Sequence, residues 1–457
     1  MTRDMTSGSP LRCILQFAIP MFFGMLFQQL YNMVDTMIVG RFLGLNALAG
    51  VGSTGSLYFL IIGSCTGICN GFAIPVAQSF GARQEHTLRK FVTNSAWLSI
   101  ILAVVITVTT VLLCRPMLRL MNTPGEAFEY AYSYIVIIFA GIPFTFLYNL
   151  CASVIRALGD SKSPLFFLII SSVLNVALDL AFIVWFQMGV AGAALATVLS
   201  QGISGVICFF HMKLHFPILL MQKQDWAIDS RSVKMLCSVG LPMGLQYSIT
   251  AIGSVVIQTA VNSFGEIAVA GVTAAQRLYN LLSCPLEALG ATMGTYVGQN
   301  VGAKKLDRVG RGTWIAVILS VILSGVILLL TLGTGKIMLR LFIDVGEVEA
   351  TQYAYRYLLT SISMLVFLTG VLIFRFSIQG MGYSPFAMIS GFLEMVARFF
   401  VAFGLASWFG FQGVCFANPC AWFLADVFLV PAYFACKKRL EKSLGNKEIE
   451  LQTAQTL

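Results

Sequence analysis

The chain has 457 residues, of which 58% are hydrophobic and 11% charged, with 41 glycines and a mean hydropathy of +0.84. Soluble chains carry roughly 25% charged residues, so this supply cannot build a water-facing shell, and a soluble enzyme is excluded. The formal charge of +9, from 29 Lys and Arg against 20 Asp and Glu, admits either nucleic acid or a membrane as partner until the charges are placed.

The first ten residues are polar, and the first apolar run, at about 14–38, is followed by no small-residue cleavage site, which predicts an uncleaved helix. Further runs of spanning length follow at about 52–80, 91–114, 131–153, 164–186, 190–212, 234–262, 270–298, 312–334, 353–376, 385–408 and 411–436. Barrel strands need only about ten alternating residues each. The expectation is therefore an all-α polytopic membrane protein with twelve transmembrane helices. Prolines 20, 75, 143, 242, 285 and 431 fall inside these runs and allow bends there. The eleven cysteines are scattered through apolar stretches without nearby histidines, which predicts buried free thiols.

With the N-terminus inside, 21 of the 29 basic residues fall in the termini and the loops on that side, Arg375 among the loops, and six fall opposite. The positive-inside rule then places both ends in the cytoplasm, and the basic excess becomes a topology signal that leaves no role for nucleic acid. The chain also repeats itself. Phe42–Val51 (FLGLNALAGV) returns as 264–272 (FGEIAVAGV), 76–83 (VAQSFGAR) as 297–304 (VGQNVGAK), and Gly189–Ala196 (GVAGAALA) as 410–417 (GFQGVCFA), at offsets near 221 to 223. Six helices per repeat is an even number, so the repeats are parallel, as in transporters that alternate access between two bundles. The expected domains are a six-helix lobe at 10–214, a cytoplasmic linker at 215–233, a second lobe at 234–437 and a polar tail at 438–457.

Charges inside spans are costly and therefore informative. The first repeat holds Asp35 and Asp179, and the second holds Glu287, Glu394, Arg398 and Asp426, with Arg277 near a helix start. At 1.5 Å per residue, Asp179 and Thr197 each lie about 10 Å below the outer surface, and Asp35 stops a comparable few residues short of its own exit. Asn175 is one turn deeper on the face of Asp179. Two carboxylates, an amide and a hydroxyl at one depth suit a proton or a small hard cation such as sodium. The competing reading is that each acid only bonds a neighbouring backbone. The repeat supplies a control: the equivalent positions are Ile257, Val396, Phe400 and Asn418, three of them apolar, so the cluster belongs to the first repeat alone. Glu394 and Arg398, at i and i+4, predict a self-contained ion pair, while Glu287 and Asp426 lack evident partners.

No P-loop is present: around Gly335-Lys336 the first glycine is replaced by Leu330 and the Ser or Thr by Ile337, so transport would be secondary. The three histidines lie near cytoplasmic loops, and a membrane-embedded lipid enzyme, the rival of another class, would need a nucleophile with a base or a metal cluster, which the spans lack.

Pro20 through Gln28, Tyr31, Val34-Asp35-Thr36 and Gly40-Arg41, the doubled Gln-x-x-Gly-Ala loops, and Asn175 with Asp179 resemble the multidrug and toxic compound extrusion (MATE) family, most closely its bacterial DinF-like branch. The likeness runs over about residues 10–440. It implies a bacterial inner-membrane protein, acting as a monomer with no cofactor, that exports small organic cations in exchange for H+ or Na+. It implies a cation site at Asp35, Asn175, Asp179 and Thr197, with sodium the only metal that site would take, and a bending proline at Pro20. Gln28, Tyr31 and Glu287 would line the substrate cavity. The helices that carry acids in the second lobe of the NorM branch have none in their membrane interior here. The alternative within transport, a lipid-linked oligosaccharide flippase, would favour a cavity rich in Arg and Lys, and only Arg277 and Arg398 lie inside spans.

Overall fold

The computed structural model describes residues 3–121, 125–344 and 346–456, and among these it contains helices and turns but no strand. Leu457, the end of the predicted tail, lies outside the described residues. In chain order the first repeat forms α1 (Pro10–Leu43), α2 (Leu45–Ser53), α3 (Gly55–Gly81), α4 (Glu85–Leu120), α5 (Gly125–Ala140), α6 (Ile142–Ala157), α7 (Lys162–Leu180) and α8 (Gly189–His215). The second forms α9 (Ser230–Asn262), α10 (Glu266–Gly302), α11 (Leu306–Leu339), α12 (Val348–Ser363), α13 (Leu365–Gly380), α14 (Ser384–Phe400), α15 (Ala406–Phe409), α16 (Phe411–Cys415) and α17 (Ala417–Thr456).

Each predicted run falls on helix. Among the described residues nine helices are long and apolar enough to cross a membrane, and the pairs α5–α6 and α12–α13 reach that length only together, bent by 50° and 52°. The remaining run lies in α10, whose 37 residues are long enough but include Arg277 and Glu287. Pro20, Pro75, Pro242, Pro285 and Pro431 stay inside continuous helices, while Pro143 alone stands at a break. The equivalent break at Met364 has no proline. Two π turns, Ala181–Trp185 and Val401–Leu405, widen α7 and α14 at equivalent places in the repeats. Single π turns of this kind often mark functional sites.

The chain divides into two compact units: Met1–Arg3, Pro20–Val76 and Gln84–Ala251 make the first, and Asp4–Ile19, Ala77–Arg83 and Ile252–Leu457 the second. In the first unit α3 lies so close to α9 that a methyl group on Gly71 would come within 2.5 Å of the Gly240 Cα. The segment after α8 is anchored rather than loose. It makes two 3-10 turns, Pro217–Leu219 and Lys223–Trp226, and inserts Asp225, wholly buried, against α4. Arg89 and His86 face its carboxylate at 3.4 and 3.7 Å, and the Thr93 hydroxyl donates to the Asp225 carbonyl at 2.5 Å. Asn94 donates to Ala227 (3.4 Å) and accepts from the Asp229 N–H (3.0 Å).

In the second unit the doubled Gln-x-x-Gly motif forms a reciprocal contact. A Cβ on Gly81 would lie 1.9 Å from the Gln299 carbonyl oxygen, and one on Gly302 would lie 1.8 Å from that of Gln78. The Gln78 amide donates to Gly380 O (2.9 Å), and Gln299 Oε1 accepts from the Met5 N–H (2.9 Å). The segment before α1 thus becomes a strap over the end of α10, with Met5 fully buried and Lys305 donating to Thr6 O (2.9 Å). Burial raises the Asp4 carboxyl, but the Thr6 hydroxyl and N–H (2.6 and 2.7 Å), with Arg83 and Lys305, outweigh it and hold it below the usual range. Its contribution is therefore present above the ordinary carboxylate range and is lost on acidification.

The glycine contact is backbone against backbone and cannot relax by a rotamer change. Gly302→Ala should therefore cost about 1–3 kcal/mol in thermal unfolding of the purified protein, whereas Gly333→Ala, which meets nothing within 4 Å inside α11, should cost nothing and stabilise by up to about 1 kcal/mol. Removing the buried Asp225 carboxylate leaves Arg89 only the exposed Glu85 carboxylate at 3.6 Å and takes away the anchor of the segment, so Asp225→Ala should free the linker and speed tryptic cleavage at Lys223 about a hundredfold.

Candidate ion-binding site

The site lies in the first unit, and each side chain comes from a helical repeat. On α1, Tyr31 and Asp35 are one turn apart. On α7, Asn175 and Asp179 are one turn apart, just before the π turn. On α8, Thr197 and Gln201 are again i and i+4. The link between α7 and α8 is fixed by Gln187 in the left-handed region (φ 53°) and by the Met188 N–H, which donates to Phe182 O at 2.9 Å.

The structure brings all four predicted ion-site residues together. Asp179 is fully buried, Asn175 and Thr197 are 1% and 4% exposed, and Asp35 is half-buried. The carboxyls of Asp35 and Asp179 face each other within hydrogen-bonding reach. Such a bond requires a proton on one of the two, because an ionised carboxylate only accepts. Neither Oδ1 has another donor, and both are shielded from solvent. With its amide oriented to satisfy both ends, Asn175 donates to Asp179 Oδ2 at 3.0 Å and accepts from the Thr197 N–H at 3.2 Å; turned over, it donates to Thr197 Oγ1 at 3.3 Å.

Three tyrosines complete the shell, of which only Tyr31 stood out in the sequence. Its hydroxyl approaches Thr197 and lies within electrostatic reach of both acids, which places Tyr31 at the acids themselves. Tyr58 on α3, beside Gln201, faces Asp35, and the buried Tyr134 on α5 faces both acids. Gln201 also accepts from the Thr145 hydroxyl at 3.0 Å. Aromatic residues in apolar helices give no sequence signal of facing a carboxylate; Gln201 did, by standing one turn from Thr197. Gln28 is exposed on α1, and Pro20 lies inside that helix about 22 Å along it from Asp35.

The second unit holds a different polar centre. Glu394 accepts from Arg398 at 3.3 Å, as the i,i+4 spacing predicts, but it also takes a closer bond from Arg375. Arg375, counted with the loops from its sequence position, is in fact 6% exposed within α13; a run of apolar residues on both sides hid nothing but its depth. The Asp426 carboxylate packs on Gly370 within reach of Arg375, and its Oδ1 has no donor. Glu287 is exposed on α10 and accepts from Ser283 at 3.3 Å. Its neighbour Tyr279 stacks on Trp422 with centroids 6.1 Å apart and planes 13° apart. Among the described residues no three His, Cys, Asp or Glu side chains group to hold a metal, and all eleven cysteines are free.

Comparison with known proteins bears on this arrangement. The MatE family matches residues 20–181 and again 242–403, two segments that begin 222 residues apart, the spacing of the internal repeat. The chain is 30% identical over 357 residues to a probable multidrug resistance protein, YpnP, of Bacillus subtilis, covering 78% of this chain and 79% of that one. It is 21% identical over 410 residues to the multidrug export protein MepA of Staphylococcus saprophyticus, covering 89% and 90%. Among solved structures it superposes on an outward-facing multidrug resistance MATE transporter of the MOP superfamily with a TM-score of 0.88 at 23% identity, over 97% of this chain and all of the other.

If the two carboxyls share a proton, their substitutions cannot be independent. In a double-mutant cycle of Asp35→Asn and Asp179→Asn on thermal stability, a coupling of roughly 0.5–3 kcal/mol is expected; additivity within about 0.5 kcal/mol would separate the two acids.

Proposed function

The chain belongs to the MatE family, and from that premise we propose that this multi-pass membrane protein is a secondary antiporter that exports small organic cations in exchange for protons by alternating access. The observation that supports the reading is the Asp35–Asp179 carboxyl pair, two facing acids that can share one proton and whose Oδ1 atoms are shielded and without a donor. Sodium would need both carboxylates ionised, with Asn175 and Thr197 as further oxygen ligands.

In this reading the pair takes up a proton from outside. The neutralised pair lets α1 settle against α7 and α8, and bound drug is released outward. Loss of the proton to the cytoplasm returns two facing carboxylates, whose repulsion moves α1 back. Pro20 is the point of flexure: it removes one helical hydrogen bond, and the chain passes from the second unit to the first between Ile19 and Pro20. An accessible acid at Glu287 beside the Tyr279–Trp422 stack supports a cationic cargo, because carboxylates and aromatic faces both attract organic cations. The relatives' names supply the multidrug part of the proposal. The protein works as a monomer in the bacterial cell membrane with both termini in the cytoplasm, the basic excess marking that side, and needs no cofactor.

Exchange of one monovalent cation for one proton is electroneutral, so the membrane potential, worth about 2.3 kcal/mol per charge per 100 mV, does no work. In proteoliposomes an imposed pH gradient should drive uptake of a cationic dye, while a potassium diffusion potential or a sodium gradient alone should not. Asp35→Asn and Asp179→Asn should each lower the rate by at least about tenfold at equal protein level; unchanged rates in both remove the ion site, and sodium-driven uptake replaces the coupling ion.

A further inference from the structure

We infer that the second unit carries a binding site for an anionic phospholipid headgroup at the start of α11. A cavity of about 550 Å³ lies there, lined by Gly8, Pro10, Arg308, Arg311, Trp314 and Ile315. Its two arginines differ. Arg308 is fully committed, donating from Nε to Asn300 Oδ1 (3.0 Å), from Nη1 to Gly8 O (2.8 Å) and from Nη2 to Met5 O (3.1 Å) and Ser7 O (3.3 Å). Arg311 is exposed and makes no hydrogen bond or ion pair with any described residue, although Asp307 stands one turn before it. No acidic residue lines the cavity. A rigid wall with one unanswered cation is arranged to receive an anion.

The face of the helix says what the anion is attached to. Arg311, Ile315, Ile318 and Ile322 follow one another at i, i+4, i+7 and i+11, so the basic turn runs straight into an aliphatic stripe. Ile318 and Ile322 are 57% and 58% exposed on a helix apolar enough to span a membrane, so the stripe faces acyl chains. Trp314, 51% exposed between the charge and the stripe, stands where an indole marks the headgroup level. A phosphate ester is the chemistry Arg311 selects. A soluble phosphate ester would occupy only the basic end, whereas a phospholipid covers both the basic end and the stripe. Bound there, the lipid also touches the strap, because Gly8 and Pro10 form another wall of the cavity and lead directly into the helix that bears Asp35.

The test uses the full chain in vesicles of phosphatidylcholine containing brominated phosphatidylglycerol or, in a parallel set, brominated phosphatidylcholine at the same fraction. Quenching of Trp314 is isolated by subtracting the Trp314→Phe signal. Stronger quenching by the anionic lipid is expected, with its preference falling about fivefold in Arg311→Gln, the worth of one basic residue at an anionic surface, and retained in Arg311→Lys. Equal quenching by both lipids overturns the site, as does a preference that Arg311→Gln leaves intact. Displacement of the lipid effect by millimolar glycerol 3-phosphate assigns the cavity to a soluble ester and overturns the lipid proposal.

Discussion

Hydrocarbon offers a buried polar group no water, and the placement of each charge in this chain follows from that constraint. A carboxylate or guanidinium within a span must find its partner in the protein, so the few that are present gather. Asp35 meets Asp179, Glu394 meets Arg375 and Arg398, and outside the spans Asp225 meets Arg89. The helices differ chiefly in which of these contacts they deliver, and the apolar residues between set the geometry in which the delivery happens.

The duplication makes the two polar centres comparable. Both repeats bend their fourth span, both carry a π turn on the fifth, and both end the second in Gln-x-x-Gly. Yet one centre is acid against acid and the other is acid between bases. Glu394, held by two guanidiniums, gains nothing by taking up a cation and would lose both partners. Two carboxyls facing each other are the opposite case: they cannot both ionise cheaply, and their leftover lone pairs are open to a proton or a metal ion. Scaffolding alone would have been served equally well by either arrangement, so the difference supports a division of labour in which the first repeat exchanges ions.

Much of this was legible before any coordinates. Apolar runs located the helices because a span must be long and uninterrupted, and the depth argument joined Asp35 to Asp179 because rise per residue and a short α7–α8 link leave little freedom. The two breaks that bend a span were only half legible, because Pro143 stands at one of them while Met364 breaks a helix without any proline. Tyr58 and Tyr134 were invisible because a tyrosine's hydroxyl direction depends on the crossing of α1, α3 and α5, which no periodicity records. Arg375 was misplaced because a charge near the end of an apolar run is read as a loop residue. The linker was read as a polar cytoplasmic loop, and its anchorage was not legible, because Asp225 buries itself through contacts with α4, some 130 residues earlier in the chain.

An ion can move a helix only by binding one of its positions better than another. Asp35 is the single acid of the cluster on α1, while Asp179, Asn175 and Thr197 lie on α7 and α8, which the short link locks together. In the proposed mechanism, protonation therefore acts across a contact between one helix and a rigid pair. With the proton present, the carboxyl–carboxyl bond holds α1 in place; without it, two like charges in a dry pocket push α1 away. The same contact cannot be satisfied in both charge states, which is the property the proposed switch needs. Its strength is bounded by the energy of one shielded hydrogen bond plus the repulsion it replaces, a few kcal/mol, which is about what a population reversal between two states requires.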